Sequence, residues 1–199
     1  MSDSNLNRNS GFLRGNGDCR NMYFYRKSMV IYDLTFYFAH KYLNKKDRTI
    51  DQMIQAARSG KQNFVEGMAD GVTSFEMQIK LLNVGKSSLL ELKEDYEDYL
   101  RTRNLLLWTE SFPRYTKMVE YCKVHNDLVD YQGHFEKWSD EEIANVALTL
   151  IHQTDRMLQR FLSSLETQFI QQGGIREAMS RVRKSGFAKN SSIQESSKI

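Results

Sequence analysis

Between residues 75 and 99, apolar or small side chains fall at Phe75, Ile79, Leu82, Gly85, Leu89, Leu92, Tyr96 and Tyr99, always three or four positions apart. That spacing puts them on one face of a single long helix. The glycine within the stripe narrows the choice of folds most, because a mid-helix glycine costs about 1 kcal/mol against alanine and must be compensated by packing. A second stripe, on a helix from about Thr49 to Met68, reads Ile50, Met53, Ala57, Gly60, Phe64 and Met68, again with a glycine in its middle. The matching positions predict that Gly60 and Gly85 face each other where these two helices cross, with the backbones closer than leucine permits.

The same glycine lies in "NVGKSS", which ends as a phosphate-binding loop ends. Such a loop needs an earlier glycine and a strand before it, since backbone amides must curl around the phosphates. Lys80 stands where the first glycine belongs, and the preceding residues follow the helical period. The nucleotide reading is therefore set aside, and Gly85 is read as a packing residue.

The rest of the chain follows the same helical grammar. "NMYFYRKSMVIYDLTFYFAHKYL" is apolar on two stripes, Val30, Leu34, Tyr37 and Ile31, Phe38, Tyr42, so a first helix covered on more than one side is expected, starting near Arg20. Thr49 with Gln52, Thr73 with Glu76, and Ser139 with Glu142 have the spacing of capping boxes. Gly67 and Gly71 are read as terminators of the second helix. Pro113, the single proline, opens a short helix reaching about Val124. The last long helix carries Ile143, Ala147, Leu150, Thr154, Met157, Phe161, Leu165 and Phe169 on one face and closes at Gly173 and Gly174. Three long helices, an apolar first helix and a shorter insertion make a helical bundle the natural architecture. A short amphipathic helix with Ile175, Met179 and Val182 on one side is expected next, then a disordered tail.

The net charge of +3 hides an asymmetry. Arg8, Arg14, Arg20, Arg26 and Lys27 outnumber Asp3 and Asp18 at the start; Arg176, Arg181, Arg183, Lys184, Lys189 and Lys198 outnumber Glu177 and Glu195 at the end. The body between is net acidic. Basic ends on an acidic body suit a grip on nucleic acid or docking on an acidic neighbour in an oligomer, and they also keep a chain soluble. No apolar run approaches the roughly 18 residues that cross a membrane, and "MSDSNLNRNSGFLRGNGD" lacks a signal-peptide core, so a cytoplasmic location without membrane partners is expected. Cys19 and Cys122 lack CxxC spacing and read as free thiols.

The sequence carries neither of the catalytic patterns that helical bundles use for metals or for nucleophiles. A di-metal bundle uses Glu-x-x-His pairs, and none of His40, His125, His134 and His152 has a carboxylate three residues before it. Glu91, Glu94, Asp95 and Asp98 form an acidic strip whose buried positions are already taken by Tyr96 and Tyr99, so a solvated face is the reading. His152, inside "ALTLIHQTDRML", reads as a core or interface histidine bonded locally, and Ser87 and Ser88 as small packing residues. The expectation is a non-enzyme with no metal and no cofactor.

The stretch "RTIDQMIQAARSGKQNFVEGMADGVTSFEMQIKLLNVGKSSLLELKEDYEDYL" resembles the bacterial four-helix-bundle proteins encoded by intervening sequences of large-subunit ribosomal RNA genes. "LIHQTDRMLQRFLSSLETQFIQQGGIREAMSRVR" is similar to the hallmark of the subgroup with a C-terminal suffix. The resemblance implies an all-α, antiparallel four-helix bundle with a short C-terminal suffix helix, divided here as a flexible extension over 1–19, the bundle over 20–172, a basic suffix over 173–187 and a disordered tail over 188–199. It also implies homo-oligomers, pentameric rings in characterised relatives, and a link to accessory proteins of diversity-generating retroelements, which bind nucleic acid and a reverse transcriptase. Met77, Leu81 and Val84 on the third helix, with Leu158 and Leu162 on the last, are offered as the second face for a neighbour. The candidate nucleic-acid contacts are Arg58, Lys61, Lys86, Arg176, Arg181, Arg183 and Lys184. The functional expectation is an oligomeric nucleic-acid-binding accessory of a nucleoprotein machine; the alternative is a protein-binding scaffold whose basic suffix docks on a neighbouring subunit.

Overall fold

The computed structural model describes residues 19–71, 74–172 and Ser180. A 3₁₀ turn at Cys19–Asn21 leads into α1 (Tyr23–Tyr42), followed by α2 (Thr49–Asp70), α3 (Phe75–Thr102), α4 (Tyr115–Val124), α5 (Val129–Gln132) and α6 (Asp140–Gln172). No strand occurs among the described residues, and the fold is all-α. α1 packs on α2 and α6, and α3 packs on α2 and α6, so the four long helices close a cycle around one core. The stripes supply that core: Val30, Ile31, Leu34 and Phe38 meet Met53 and Phe64, Leu82, Leu92 and Tyr96, and Ile143 and Leu150, all fully buried. Tyr96 keeps its hydroxyl satisfied by donating to Thr35 Oγ1 at 3.0 Å, and burial pushes its ionisation well above the ordinary tyrosine range.

α2 and α3 make the closest crossing. A Cβ built on Gly85 would stand 2.7 Å from Phe64 Cε1 and 2.9 Å from the carbonyl oxygen of Gly60; one built on Gly60 would stand 2.7 Å from Leu89 Cδ2 and 3.3 Å from the carbonyl oxygen of Gly85. Each glycine thus makes room for the backbone of the other. Gly67 belongs to the same seam rather than to the helix end: it is buried inside α2, and a Cβ there would meet Leu82 Cγ at 3.1 Å. Gly71 alone caps α2.

Other helix ends depart from the expected boxes. At α2 the N-cap is Arg48, and the Thr49 amide is held by the Asp47 carboxylate at 2.9 Å, so Thr49 is already inside the helix. Thr73 lies outside the described residues; Ser74 is the N-cap of α3, its Oγ accepting from Met77 N at 3.2 Å. Ser139 and Glu142 form the reciprocal box, with Glu142 N donating to Ser139 Oγ at 3.2 Å and Ser139 N to Glu142 Oε2 at 2.9 Å. Tyr115, two residues after Pro113, starts α4. Cys19, assigned by the sequence to the flexible extension, is buried with its thiol directed at Phe64 O, and the Cys122 thiol is buried as well. The supposed second face divides: Met77 and Val84 are exposed, but Leu158 and Leu162 are core residues. The buried arc of α6 is broad enough to include them because α1 and α3 both pack on it.

Residues 103–139 run as an insertion between α3 and α6. It leaves α3 through a Schellman motif, with Leu105 N donating to Leu100 O at 2.9 Å and Asn104 N to Arg101 O at 3.3 Å. Asn104, at φ 54°, takes the left-handed position that asparagine tolerates better than most residues. The start of α1 holds the insertion's middle: Arg26 pairs with Asp127, its Nε donating to Oδ1 at 2.6 Å. The fully buried Lys27 ammonium donates to the carbonyls of Cys122 and, at 3.1 Å, His125, the closing end of α4. At the other end Tyr42 donates to Trp138 O at 3.0 Å.

Burying Lys27 has a pH signature. Desolvation lowers its pKa from 10.5 to about 8, against the opposing pull of Cys122 and Asp130. Between those values the unfolded chain holds the proton more tightly, so stability rises with pH. Burial also raises the Cys122 thiol from 9.0 to about 11, so from pH 9 the unfolded thiol ionises first and offsets the gain. Wild-type unfolding free energy should therefore climb by up to about 1 kcal/mol between pH 8 and 9 and then flatten. Denaturant titrations at each pH should show the climb absent in Lys27→Met; a climb that persists there assigns it to another group.

Candidate nucleic-acid interface

The sequence candidates are scattered. Arg58 is exposed on α2. Lys61 is half-buried, its ammonium 4.0 Å from the centre of the Tyr32 ring on α1, and it eases the charge of nearby Asp33, which burial drives upward. Lys86 pairs across to Asp155 of α6 at 3.4 Å. Lys61 therefore works the α1–α2 seam and Lys86 the α3–α6 seam, on opposite sides of the helix cycle. Arg176, Arg181, Arg183 and Lys184 lie outside the described residues, as do the suffix, apart from Ser180, and the tail.

A different set of cations converges. The segment after α3 lies along α6 because two α6 side chains imitate a partner backbone. Asn145, 2% exposed, accepts from Trp108 N at 2.7 Å and donates to Leu106 O at 2.9 Å and to Glu141 O at 2.8 Å. Glu141 accepts from Leu106 N at 3.0 Å and from Trp108 Nε1 at 2.9 Å. This strip, α4 and α6 wall a cleft of about 750 Å³, which also reaches Lys93 and Glu97 of α3. α4 turns Tyr115, Val119 and Lys123 into it, one helical turn apart. α6 turns in His152, Arg156 and Arg160 at the same spacing, and Gln153 ties the helices by donating to Val119 O at 3.0 Å.

Lys93 and Glu97 neutralise each other at 2.8 Å. Lys123, Arg156 and Arg160 are exposed and have no ion-pair partner among the described residues. Glu110 is the acid that remains in the lining. Cations left unpaired along an open cleft attract phosphates, and Tyr115 and Trp108 add aromatic surface. His152 is exposed, not a core histidine, because the buried positions on that turn are Ile151 and Thr154. Ser88 does pack, its hydroxyl 2.9 Å from Ser59 Oγ, while Ser87 is exposed.

The opposite flank is acidic. Asp51, Glu91 and Asp95 line a shallow cleft between α2 and α3, where burial, then Asp98 and Glu91, raise the Asp95 carboxyl. No group of three or more histidine, cysteine or acidic side chains among the described residues is arranged to hold a metal ion. No described helix is long and apolar enough to cross a membrane.

Arg156 and Arg160 stand four residues apart in the sequence, a spacing that signals a shared helix face but that the charge reading of the chain ends passes over. Their meeting with Lys123 has no such signal, because it depends on where the insertion lies. Comparison with family models, curated proteins and solved structures finds no match for this chain.

Proposed function

We propose that this protein is a non-enzymatic nucleic-acid-binding accessory that holds an RNA or DNA strand in the α4–α6 cleft. The supporting observation is the convergence of unpaired Lys123, Arg156 and Arg160 from two helices on one open channel. Charge segregation adds to it, since the acidic residues Asp51, Glu91 and Asp95 line a separate cleft between α2 and α3, which would turn a polyanion away. The suffix cations Arg176, Arg181, Arg183 and Lys184 follow α6 in the sequence and add positive charge to the chain after it. The resemblance to ribosomal-RNA intervening-sequence proteins and retroelement accessories supplies the setting: a homo-oligomer, pentameric by that likeness, serving a nucleoprotein machine such as one containing a reverse transcriptase.

The test is fluorescence anisotropy with labelled single-stranded RNA and duplex DNA at low and physiological salt. Arg156→Gln/Arg160→Gln should weaken binding at least about tenfold and make the salt dependence shallower by about two phosphate contacts. Neutralising Arg58, Lys61 and Lys86 together should change it far less. Unaltered affinity in the α6 variant removes the cleft from the proposal, and no binding of either probe at low salt removes the nucleic-acid reading.

A second reading, a scaffold whose basic suffix docks on a neighbouring subunit, is favoured by the acidic α2–α3 cleft and by exposed Met77 and Val84 on α3. Under it, glutamine at Arg176, Arg181, Arg183 and Lys184 lowers the mass measured by light scattering while nucleic acid has no effect.

A further inference from the structure

The other side of α4 holds a second, smaller cavity of about 270 Å³. Its walls are aromatic and apolar: Trp108, Met118, Tyr121 and Trp138, with His134 stacked on Trp138 at 5.0 Å and 9°. Tyr121 stands edge-on to His134 at 6.0 Å and 89°, so these rings brace one another and hold the wall's shape. The volume lies just below the usual range for drug-sized ligands, which suits one or two fused rings.

An aromatic cage often takes a quaternary ammonium, but the charge here has the wrong sign for that. Arg114 and Lys117 both line the cavity. Arg114 is fixed by its pair with Glu142 and lies 5.2 Å from the centre of the Trp108 ring. Burial pushes the Glu142 carboxyl up, but the Ser139 amide, and after it the pair with Arg114, hold it below its ordinary range and keep it ionised against the arginine. Lys117 is exposed and has no ion-pair partner among the described residues. Two cations against one acid leave a positive lining beside an apolar interior.

We propose that this cavity binds a planar aromatic anion, with the ring against Trp138 and Trp108 and the anionic group on Lys117 and Arg114. The site is independent of the α4–α6 cleft reading, although Trp108 contributes to both. A nucleoside monophosphate and a free heteroaromatic carboxylate share this chemistry, and the experiment separates them.

The full chain is titrated by calorimetry with adenosine monophosphate, quinoline-2-carboxylate, adenosine and inorganic phosphate. Emission of the two tryptophans is followed in parallel; the chain has no others, and both line the cavity. The expected result is one-site binding of at least one aromatic anion with Kd on the order of 0.1 mM, accompanied by a saturable change in emission. Exposed Lys117 can be replaced without disturbing the core, and Lys117→Met should weaken that ligand about tenfold while leaving adenosine unchanged. Binding of the nucleotide alone assigns a nucleotide site, binding of the carboxylate alone assigns a site for free aromatic acids, and binding of both supports the shared chemistry. The proposal is overturned if neither anion gives saturable heat up to about 10 mM, a bound too weak for a specific site of this size. Equal affinity for inorganic phosphate, or indifference of the anion to Lys117→Met, overturns it as well.

Discussion

Gly85→Leu should lower the melting temperature by at least about 10 °C, on a scale of roughly 2–4 °C per kcal/mol for a chain of this size. Even a single methyl has nowhere to go. It would sit 2.9 Å from the Gly60 carbonyl oxygen, an atom of the helix backbone, and 2.7 Å from the Phe64 ring. That ring is braced edge-on against Phe24 at 5.4 Å and cannot swing aside freely. Gly85→Ala gains about 1 kcal/mol of helix propensity and should still lose about 2 kcal/mol net, because overpacking here separates two helices rather than turning one side chain. Gly60→Ala should be milder, since its contacts under 3 Å are Leu89 side-chain atoms, which have other rotamers. Gly133→Ala is the control: nothing lies within 4 Å of a Cβ there, and its stability should stay within about 1 kcal/mol of wild type. Thermal unfolding of the four variants should rank them in that order; a Gly85→Leu protein melting with the wild type would mean that the helices do not approach this closely.

Asn145→Leu should release the strip that follows α3. The side chain satisfies the Trp108 amide and the Leu106 carbonyl from a position 2% exposed to solvent. Leucine of similar volume leaves both backbone groups without their partner, at about 1–3 kcal/mol each. A total loss of about 3 kcal/mol is expected, or, if the strip lifts away alone, a local opening with the bundle intact. Hydrogen exchange distinguishes these outcomes. In either case the Trp108 amide should exchange far faster than in the wild type, and the Trp108 emission should shift to the red as the indole loses Glu141 and its cover. A Trp108 amide that stays protected in Asn145→Leu would show that the strip is held by something else. Because Trp108 lines both clefts beside α4, this variant should also weaken whatever binds in either.

Much of the bundle was legible because helical periodicity is a local property. The stripes of α2 and α3 named most of their buried residues, and the Ser139–Glu142 box marked the start of α6, since capping involves only residues one turn apart. Legibility failed where two or more distant segments meet. Gly67 looked like a helix stop because glycine favours ends, and only the approach of Leu82 shows it to be a packing residue. Leu158 and Leu162 looked spare because one stripe seemed enough for α6, whereas two helices press on it. His152 looked like a core or interface histidine because its neighbours are apolar; it lies on the turn's solvent side, which removes the core half of that reading. The cation sites followed the same rule. The resemblance and their place off the apolar stripe directed attention to Arg58, Lys61 and Lys86; Arg58 is exposed on α2, whereas Lys61 meets the Tyr32 ring and Lys86 the Asp155 carboxylate, partners that only the fold supplies.

The sequence by itself determined that the chain is helical, where its long helices run, and that two of them must cross at a pair of glycines. These follow from a 3.6-residue period and from the cost of glycine in a helix, neither of which needs a partner to be known. Only the tertiary structure decided where the insertion lies, that Lys27 closes α4 from inside the protein, and that Lys123 stands across a cleft from Arg156 and Arg160. Those placements rest on hydrogen bonds between the side chains of Asn145, Glu141, Gln153 and Lys27 and backbone groups 34–98 residues away. A backbone amide or carbonyl carries no trace of its partner in the sequence, so such contacts become visible only when the chain has folded.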